Sequence, residues 1–352
     1  MMIRQNGILP VVFAVVLSAA AQEASSRLQP DLPSAPTPSL DLSRAHLLLQ
    51  DGKYREALAV LKEVETHSPG AAGLSHDLGV AYYHVADFVA AAPALRRAIA
   101  ESANDLEAKQ LLGMSFFQSG KPAEAIVWLQ QVKAAMPGSS LDIDYVLGLC
   151  YLRTRDYDRA RSSFAAMYGV PSESAAAYLL TARMLLRQGD DLSAEHYAQK
   201  TLELDSKAPL AHFLLGEIYL YRSEMPKAAN EFDQERRLDP AFAGAYERLA
   251  DAYLRMSRLS EAEALLKRSL LLDGNSTGPY ILLGKVQIQK KDYVQAQMYL
   301  EKAVKMDPNN FIPHHLLGEA YQRTGKAREA EQELKLAGQL QSASQPSLED
   351  VR

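Results

Sequence analysis

Apolar residues in the segment from Leu106 to Gln118 recur at intervals of three and four positions, without the alternation of apolar and polar residues that a strand shows. This spacing predicts a helix. Gly120 interrupts the pattern, and Pro122 suits the first turn of a second helix, because the N–H that proline lacks would have no partner there. The second helix is expected to end near Met136, since the following proline disfavours helical geometry in the residue before it. The segment therefore predicts a helical hairpin.

The predicted hairpin recurs along the chain with a period of 34 residues. Each unit has a small residue within its first helix, and successive small residues are 34 positions apart except for one step of 35 from Gly113 to Gly148. The residue twelve positions later is alanine in all nine units, from Ala57 to Ala330. Self-similarity at a fixed period indicates a repeat architecture, and small residues at two fixed places allow the two helices to cross closely. The nine small residues are Ala45, Gly79, Gly113, Gly148, Ala182, Gly216, Ala250, Gly284 and Gly318.

This pattern resembles the tetratricopeptide repeat (TPR) family, whose 34-residue helix-turn-helix signature places a large apolar residue, glycine, an aromatic residue, alanine and proline at these offsets. The resemblance covers residues 38–342 as nine consecutive repeats, and it implies an all-α fold, a right-handed α-solenoid. The expected repeat starts are residues 38, 72, 106, 141, 175, 209, 243, 277 and 311. Closing prolines match at Pro69, Pro137, Pro240 and Pro308.

Two residues depart from the family pattern. Gln287 stands where the eighth repeat should have an aromatic residue, and Pro93 lies inside the second helix of the second repeat, where we expect a kink. No amphipathic helix is predicted after the ninth repeat, because residues 343–352 read as a short polar tail. The C-terminal face is then expected to be covered by a partner or by polar side chains alone. Those side chains are Gln332, Lys335 and Gln339.

Residues 1–21 have the three parts of a secretory signal peptide: a positive charge at Arg4, an apolar run, and small residues ending at Ala21. Cleavage is expected near Ala21. The alternative is a retained membrane anchor, although the run is shorter than the ~20 residues of a spanning helix. Residues 22–37 contain four prolines among Ser and Ala and predict an extended linker. The chain is thus expected to be exported, periplasmic or secreted if bacterial, with no stable membrane insertion after cleavage.

Composition and charge narrow the classes of partner. The 352 residues are 47% apolar and 23% charged, which excludes a fibrous or wholly disordered protein. Length alone would suggest two or three compact domains, but the period replaces them with one linear array. A formal net charge of −5, without a long basic run, argues against nucleic acid as a partner. The single cysteine excludes an intramolecular disulfide and a thiolate zinc site.

No catalytic motif emerges from the sequence. It contains no glycine-rich phosphate loop, H-E-x-x-H or G-x-S-x-G motif, so no catalytic residue and no cofactor are predicted. Cys150 lies between apolar residues of a first helix and is expected to be an inert buried thiol. His46, His76 and His84 could approach one another, but the pattern places no carboxylate with them, and no metal site is predicted.

The resemblance implies that the first helices line a concave surface, which the residues three before, one after and four after the small position should face. The place four after the small residue is apolar in eight of nine repeats. These residues either form an extended apolar patch, which marks interaction surfaces, or pack against the neighbouring repeat, and helical periodicity does not separate the two. In repeats four to six the ligand-groove candidates are Tyr145, Leu149, Leu152, Leu179, Arg183, Leu186, Phe213, Glu217 and Leu220.

Arginines occupy the fifth position after the small residue in four repeats, next to the position that is apolar in eight of nine. They either complement the dipole at a helix C-terminus or form an edge that receives carboxylates of a bound peptide. The family's Lys/Asn clamp for a terminal carboxylate is not matched. The sequence therefore predicts an exported, non-enzymatic scaffold that binds a peptide or helical segment of a protein partner. The alternative is a non-catalytic accessory subunit of a cell-envelope polysaccharide or peptidoglycan enzyme complex. The groove-edge cations are Arg153, Arg187, Arg255 and Arg323.

Overall fold

The computed structural model describes residues 38–136 and 141–344. These residues form eighteen α-helices and no strand, arranged as nine hairpins of a first and a second helix. The first helices are α1 (Pro38–Gln50), α3 (Leu74–His84), α5 (Leu106–Gln118), α7 (Leu141–Arg153), α9 (Ala175–Arg187), α11 (Ala211–Tyr221), α13 (Ala243–Arg255), α15 (Gly278–Gln289) and α17 (Phe311–Arg323). The second helices are α2 (Tyr54–His67), α4 (Phe88–Glu101), α6 (Pro122–Ala135), α8 (Tyr157–Tyr168), α10 (Asp191–Leu204), α12 (Met225–Leu238), α14 (Leu259–Leu272), α16 (Tyr293–Met306) and α18 (Ala327–Ala343).

The hairpins stack into a solenoid, which confirms the predicted all-helical fold. Each first helix packs against the second helix of its own hairpin, and each second helix packs against the first helix of the next. Across the described ranges, first helices of neighbouring repeats also touch, as α3 does α5 and α13 does α15, with α7 and α9 as the pair that does so least. Neighbouring second helices do not touch to a comparable extent. The first helices therefore lie on the crowded inner side of the solenoid, which we call the concave face.

The predicted signal peptide and linker lie outside the described residues. Within 38–136 and 141–344, no helix is both long enough and apolar enough to cross a bilayer. The helix α4 continues through Pro93 to Glu101, so the proline does not end it, and the kink stays a prediction. The Gln287 side chain is buried in the eighth repeat, and its amide nitrogen has no hydrogen-bond partner among the described residues. The polar side chains expected on the last helix are exposed; they are Gln332, Lys335 and Gln339.

In the six hairpins whose small residue is glycine, that glycine lies tightly against a leucine or phenylalanine sixteen positions later in the second helix. A Cβ atom built on Gly148 would lie 2.4 Å from Cε1 of Phe164, a distance that real contacts do not reach. Gly216 faces Phe232 in the same way, at 2.5 Å. Phenylalanine occurs at this place only in these two repeats, where the small residue is glycine. Where alanine replaces glycine, the opposite residue is smaller than phenylalanine: Ala45 with Leu61, Ala182 with Ala198, and Ala250 with Leu266.

The turn inside every hairpin has one backbone conformation. The residue seven positions after the small residue is left-handed in all nine turns, with φ between 60° and 80°. In the second repeat its N–H donates to the carbonyl of Tyr83, and the next N–H, of Asp87, donates to the carbonyl of Tyr82. This pair of bonds is the Schellman ending of a helix, and it recurs in the other eight turns. The nine left-handed residues are Gly52, Ala86, Gly120, Arg155, Gly189, Ser223, Ser257, Lys291 and Gly325.

Only four of the nine left-handed positions are glycine. Glycine adopts this conformation without a steric cost, whereas a residue with a side chain loses about 1–2 kcal/mol there. The other five turns are therefore strained, and the packing of the helices on either side must overcome that strain.

The tight crossing predicts a specific response to a single methyl group. Gly148→Ala is expected to lower the free energy of unfolding by about 1–3 kcal/mol, because the new methyl overlaps the Phe164 ring. The double variant Gly148→Ala/Phe164→Leu recreates the Ala45–Leu61 pair. Adding Gly148→Ala to the Phe164→Leu variant should therefore lower the free energy of unfolding much less than adding it to the wild type does. Urea unfolding followed by circular dichroism measures each value.

The matched control is Gly338→Ala, a helical glycine of α18 where the added methyl has no atom within 4 Å beyond the adjacent backbone of its own helix. It should be neutral or stabilising by up to about 1 kcal/mol. An unaltered urea midpoint for Gly148→Ala would contradict the close crossing.

The turn geometry predicts opposite effects for two reciprocal substitutions. Ala86→Gly relieves a left-handed alanine but makes the unfolded chain more flexible, so we expect a net stabilisation of about 0.5–1 kcal/mol. Gly120→Ala introduces the same strain into an unstrained turn and should destabilise by a similar amount. Thermal and urea midpoints of both variants check this, and shifts of the same sign would exclude a shared turn conformation.

Candidate functional site

The nine groove candidates divide by burial. Leu152 and Leu220 are buried, with 4% and 9% of their surface exposed, and both belong to the continuous core of the middle repeats. Phe117 and Leu254, at the same position of repeats three and seven, are buried as well. In these four repeats, the residue four positions after the small residue therefore packs against neighbouring helices. It does not contribute to an open apolar patch. Leu186 remains half-buried.

The remaining apolar candidates keep part of their surface open on the concave face. Leu149 and Leu179 are half-buried on α7 and α9, and with Leu186 they pack on the middle core. The two aromatic candidates are half-buried as well, and their rings pack on other aromatic rings: the ring centroid of Phe213 is 5.5 Å from that of Phe232 and 5.0 Å from that of Phe242, and the Tyr145 centroid is 6.5 Å from that of Phe164. The half-buried aliphatic candidates of repeats four and five are three leucines, which we call the leucine strip: Leu149, Leu179 and Leu186.

The four groove-edge cations have different surroundings. The Arg153 guanidinium lies over the Phe117 ring, 4.7 Å from its centroid, and Arg255 forms an ion pair with Asp251 on its own helix at 3.0 Å. Arg187 and Arg323 are exposed and have neither an ion pair nor a hydrogen bond within the described ranges. Each is the last residue of a first helix, so its charge complements the helix dipole as well. Only Arg187 of these unpaired cations lies beside the leucine strip.

Carboxylates appear on the concave face in repeats six and seven. Burial raises the pKa of Glu217, against the opposing effect of Arg248 and Arg183. The nearest atoms, Nη2 of Arg248 and Oε1 of Glu217, are 3.8 Å apart across two repeats. Burial likewise raises the pKa of Glu247, the residue that precedes Arg248. Between repeat five and repeat seven, the charges on the concave face thus change from unpaired cations to ion pairs.

Sequence reasoning missed two parts of this surface. Tyr221 occupies the groove-edge position of repeat six and is 72% exposed, and Glu247 and Asp251 occupy the facing positions of repeat seven. Applying the same positions to repeat seven would have identified Glu247 and Asp251. Considering residues other than arginine at the edge position would have identified Tyr221. The pairing of Arg248 with Glu217 could not be found in this way, because it depends on the distance between repeats.

An open pocket of about 640 Å³ lies between α1 and α3, at the first two repeats. Asp77 lines it, and burial raises the pKa of this carboxyl, although His46 and His76 act in the opposite direction. Nδ1 of His46 is 3.9 Å from Asp77, whereas Nδ1 of His76 is 2.7 Å from Asp105.

The third candidate histidine lies apart from this pocket. His84 stacks on Tyr54, with the ring centroids 4.0 Å apart. His46 and His76 therefore share the Asp77 pocket. The expectation that no carboxylate accompanies them was wrong, because Asp77 and Asp105 do. No group of three His, Cys, Asp or Glu residues in the described part of the chain could hold a metal ion.

The single thiol does not contribute to a reactive site. Cys150 is fully buried in α7, and burial raises its pKa to about 12, although the Arg153 charge opposes this effect. A thiol with this pKa is almost entirely protonated at neutral pH, and only the thiolate is an effective nucleophile. Cys150 is a core residue of the fourth repeat.

Two family models match the chain, and both are described as Tetratricopeptide repeat. One matches residues 48–114, 86–149 and 287–345, and the other matches residues 145–209, 192–240 and 213–279. Together they extend over most of the nine hairpins. No curated protein matches the sequence.

Solved structures with a similar arrangement of helices share little sequence with this chain. MamA from Desulfovibrio magneticus RS-1 is 20% identical, with 49% of this chain and 97% of that chain covered and a TM-score of 0.45. The C-terminal part of a TPR repeat-containing protein from Cytophaga hutchinsonii is 17% identical, with 68% and 98% covered and a TM-score of 0.45. The Cut9–Hcn1 hetero-tetramer of the APC/C is 18% identical, with 80% of this chain covered and a TM-score of 0.44. The chain spans about half of that structure's matched chain, 55%.

Proposed function

This chain belongs to the tetratricopeptide repeat family, and from that premise we propose that it is an exported, non-catalytic scaffold that binds a segment of a partner protein along its concave face. Stacked repeats present an extended concave surface, and members of the family generally act as interaction scaffolds. An accessory role beside a polysaccharide or peptidoglycan enzyme would be one instance of this binding function. Catalysis would then reside in the partner.

The leucine strip is the observation that supports this proposal most directly. Leu149, Leu179 and Leu186 are half-buried on two adjacent first helices, so each retains apolar surface that a partner could cover. The helices that carry them are packed against the second helices of their own hairpins, α7 on α8 and α9 on α10, so the surface is preformed. A preformed surface loses less conformational entropy on binding than a mobile one.

Arg183 adds a polar contact to this apolar surface. It is exposed on α9 and lies on the same helix as Leu179 and Leu186. Interfaces commonly combine an apolar centre with arginine, because the guanidinium both packs and forms several hydrogen bonds. The same surface therefore offers both affinity and orientation to a bound segment.

Export is proposed from the N-terminal sequence, which lies outside the described residues. A charged start, a short apolar run and small residues ending at Ala21 are typical of a cleaved leader. We expect the chain in the cell envelope or culture medium, with Gln22 as its first residue. Mass spectrometry of the intact chain from fractionated cells measures this, and a cytoplasmic chain that retains residues 1–21 would refute export.

Binding is tested by removing the leucine strip without disturbing the core. The variant Leu179→Ser/Leu186→Ser should lose the partner that the wild-type chain recovers from an envelope extract. Its helical circular dichroism should be unchanged, because both side chains are only half-buried. Phe213 is left in place, since its ring contacts Phe232 and Phe242 in the core.

The matched control removes two apolar side chains from second helices instead. Leu192 and Val294 are 73% and 67% exposed on α10 and α16. Leu192→Ser/Val294→Ser should therefore retain the partner. Quantitative mass spectrometry of the three captures decides the outcome. Equal recovery by the wild type and the concave variant, or a loss confined to the control variant, would rule out binding at the leucine strip.

A further inference from the structure

We infer that the partner segment seated on repeats four and five is acidic as well as apolar. This inference rests on the proposed binding function and adds the chemistry of the ligand. It depends on which charges of the concave face are already neutralised within the chain and which are not.

The helix α9 carries cations without any carboxylate. Arg183 and Arg187 are both exposed on it, and its thirteen residues include no Asp or Glu. Neither guanidinium has an ion pair or a hydrogen bond within residues 38–136 and 141–344. Arg183 acts on Glu217 only at longer range. Two unpaired positive charges therefore border the leucine strip.

The carboxylates near α9 have other partners. Glu173, just before the helix, forms an ion pair with Arg161 and accepts a hydrogen bond from the Tyr178 hydroxyl. Asp190, just after it, caps α10 by accepting from the Ser193 N–H and also accepts from the Tyr157 hydroxyl. Neither is available to neutralise the two arginines.

The preceding first helix adds a third cation. In α7, Arg153 is at the C-terminal end and stacks on Phe117, while the carboxylates Asp142 and Asp144 lie in the first turn at the opposite end. Asp144 is paired with Lys133. Arg153 is therefore held in place by an aromatic ring and has no ion pair within the part of the chain that the structure describes.

Repeats six and seven provide the contrast. There, Glu217 lies beside Arg248, and Asp251 is paired with Arg255, so each charge on the concave face has a neighbour of opposite sign. In repeats four and five the uncompensated charge is positive and borders the leucine strip, whereas Arg323, the other unpaired groove-edge cation, lies in repeat nine, away from the strip. Carboxylates are its natural complement, since guanidinium groups bind them through two parallel hydrogen bonds.

The leucine strip distinguishes an acidic protein segment from a hydrophilic polyanion such as a polysaccharide. A sugar polymer could pair with the arginines but would leave the leucines in contact with water. An amphipathic segment that carries Glu or Asp beside Leu-like side chains satisfies both features at once. The occupant we assign is therefore a protein segment of this composition.

Three labelled peptides of eighteen residues test the inference. They share the same Leu and Ala positions and differ only in their polar residue, which is Glu, Gln or Lys. Fluorescence anisotropy with the full chain should show the Glu peptide binding at least about tenfold more tightly than the other two. Raising the ionic strength should shrink that preference, because exposed charges are screened.

Two protein variants assign the preference to specific residues. Arg183→Gln/Arg187→Gln should reduce the preference for Glu over Gln to within about twofold, since it removes the unpaired cations. Arg323→Gln removes an exposed, unpaired groove-edge cation at the equivalent position of the ninth repeat, and it should leave the preference unchanged. Circular dichroism and melting of both variants confirm that the helices are intact.

The outcomes separate this inference from the binding function. Equal affinity for all three peptides, lost in Leu179→Ser/Leu186→Ser, would overturn the acidic preference but leave the scaffold function standing. A Glu peptide with serine in place of leucine is compared with the original Glu peptide, and heparin likewise. If either binds as tightly as the original peptide, the surface recognises polyanions and the inference is overturned. If no peptide binds and the leucine-strip variant captures the same proteins as the wild type, both proposals fail.

Discussion

The close approach of two helices within each hairpin is the contact on which the rest of the molecule depends. It needs a residue no larger than alanine on the first helix and an alanine on the second, and all nine second-helix alanines are buried. Where phenylalanine fills the crossing, as Phe164 does, even a methyl group on the facing glycine has no room. This geometry orients every hairpin alike. Successive hairpins can then stack, bury each other's apolar faces, and align their first helices along one surface.

The helix endings connect this packing to the candidate site. Each first helix ends in the same Schellman turn, and the carbonyl of the residue four after the small position accepts one of its two hydrogen bonds. In repeats four and six that residue, Leu152 and Leu220, is covered by the packed core of the array. The next residue in the chain is directed to the edge of the concave face, where Arg153 and Tyr221 lie. Local helix termination thereby decides which side chains hold the array together and which remain available to a partner.

The period alone was sufficient to predict the helices and the hairpins, whereas the side on which a groove is expected came from the resemblance to the family. These features are local, because spacing within one unit determines which side chains share a helix face. Burial was not predictable in this way: Leu149 and Leu152 are equally apolar, yet only the second is covered by neighbouring helices. Charge pairing was equally hidden, since Arg248 meets Glu217 across a boundary between repeats. One indication of the charge pattern was present in the sequence: α9 contains two arginines and no acidic residue.

The uneven distribution of glycine among the turns has a consequence for motion. Repeats six, seven and eight have three successive left-handed turns without glycine, at Ser223, Ser257 and Lys291, and the eighth also buries the unpaired Gln287 amide. In a linear array each unit is stabilised only by its neighbours, so we expect three weakened units in a row to open as one block before the others. Amide hydrogen exchange would register this block as the fastest-exchanging internal helices. The uncompensated arginines would then border a stretch of the solenoid able to flex, and a bound segment could gain or lose contacts there while repeats four and five stay closed.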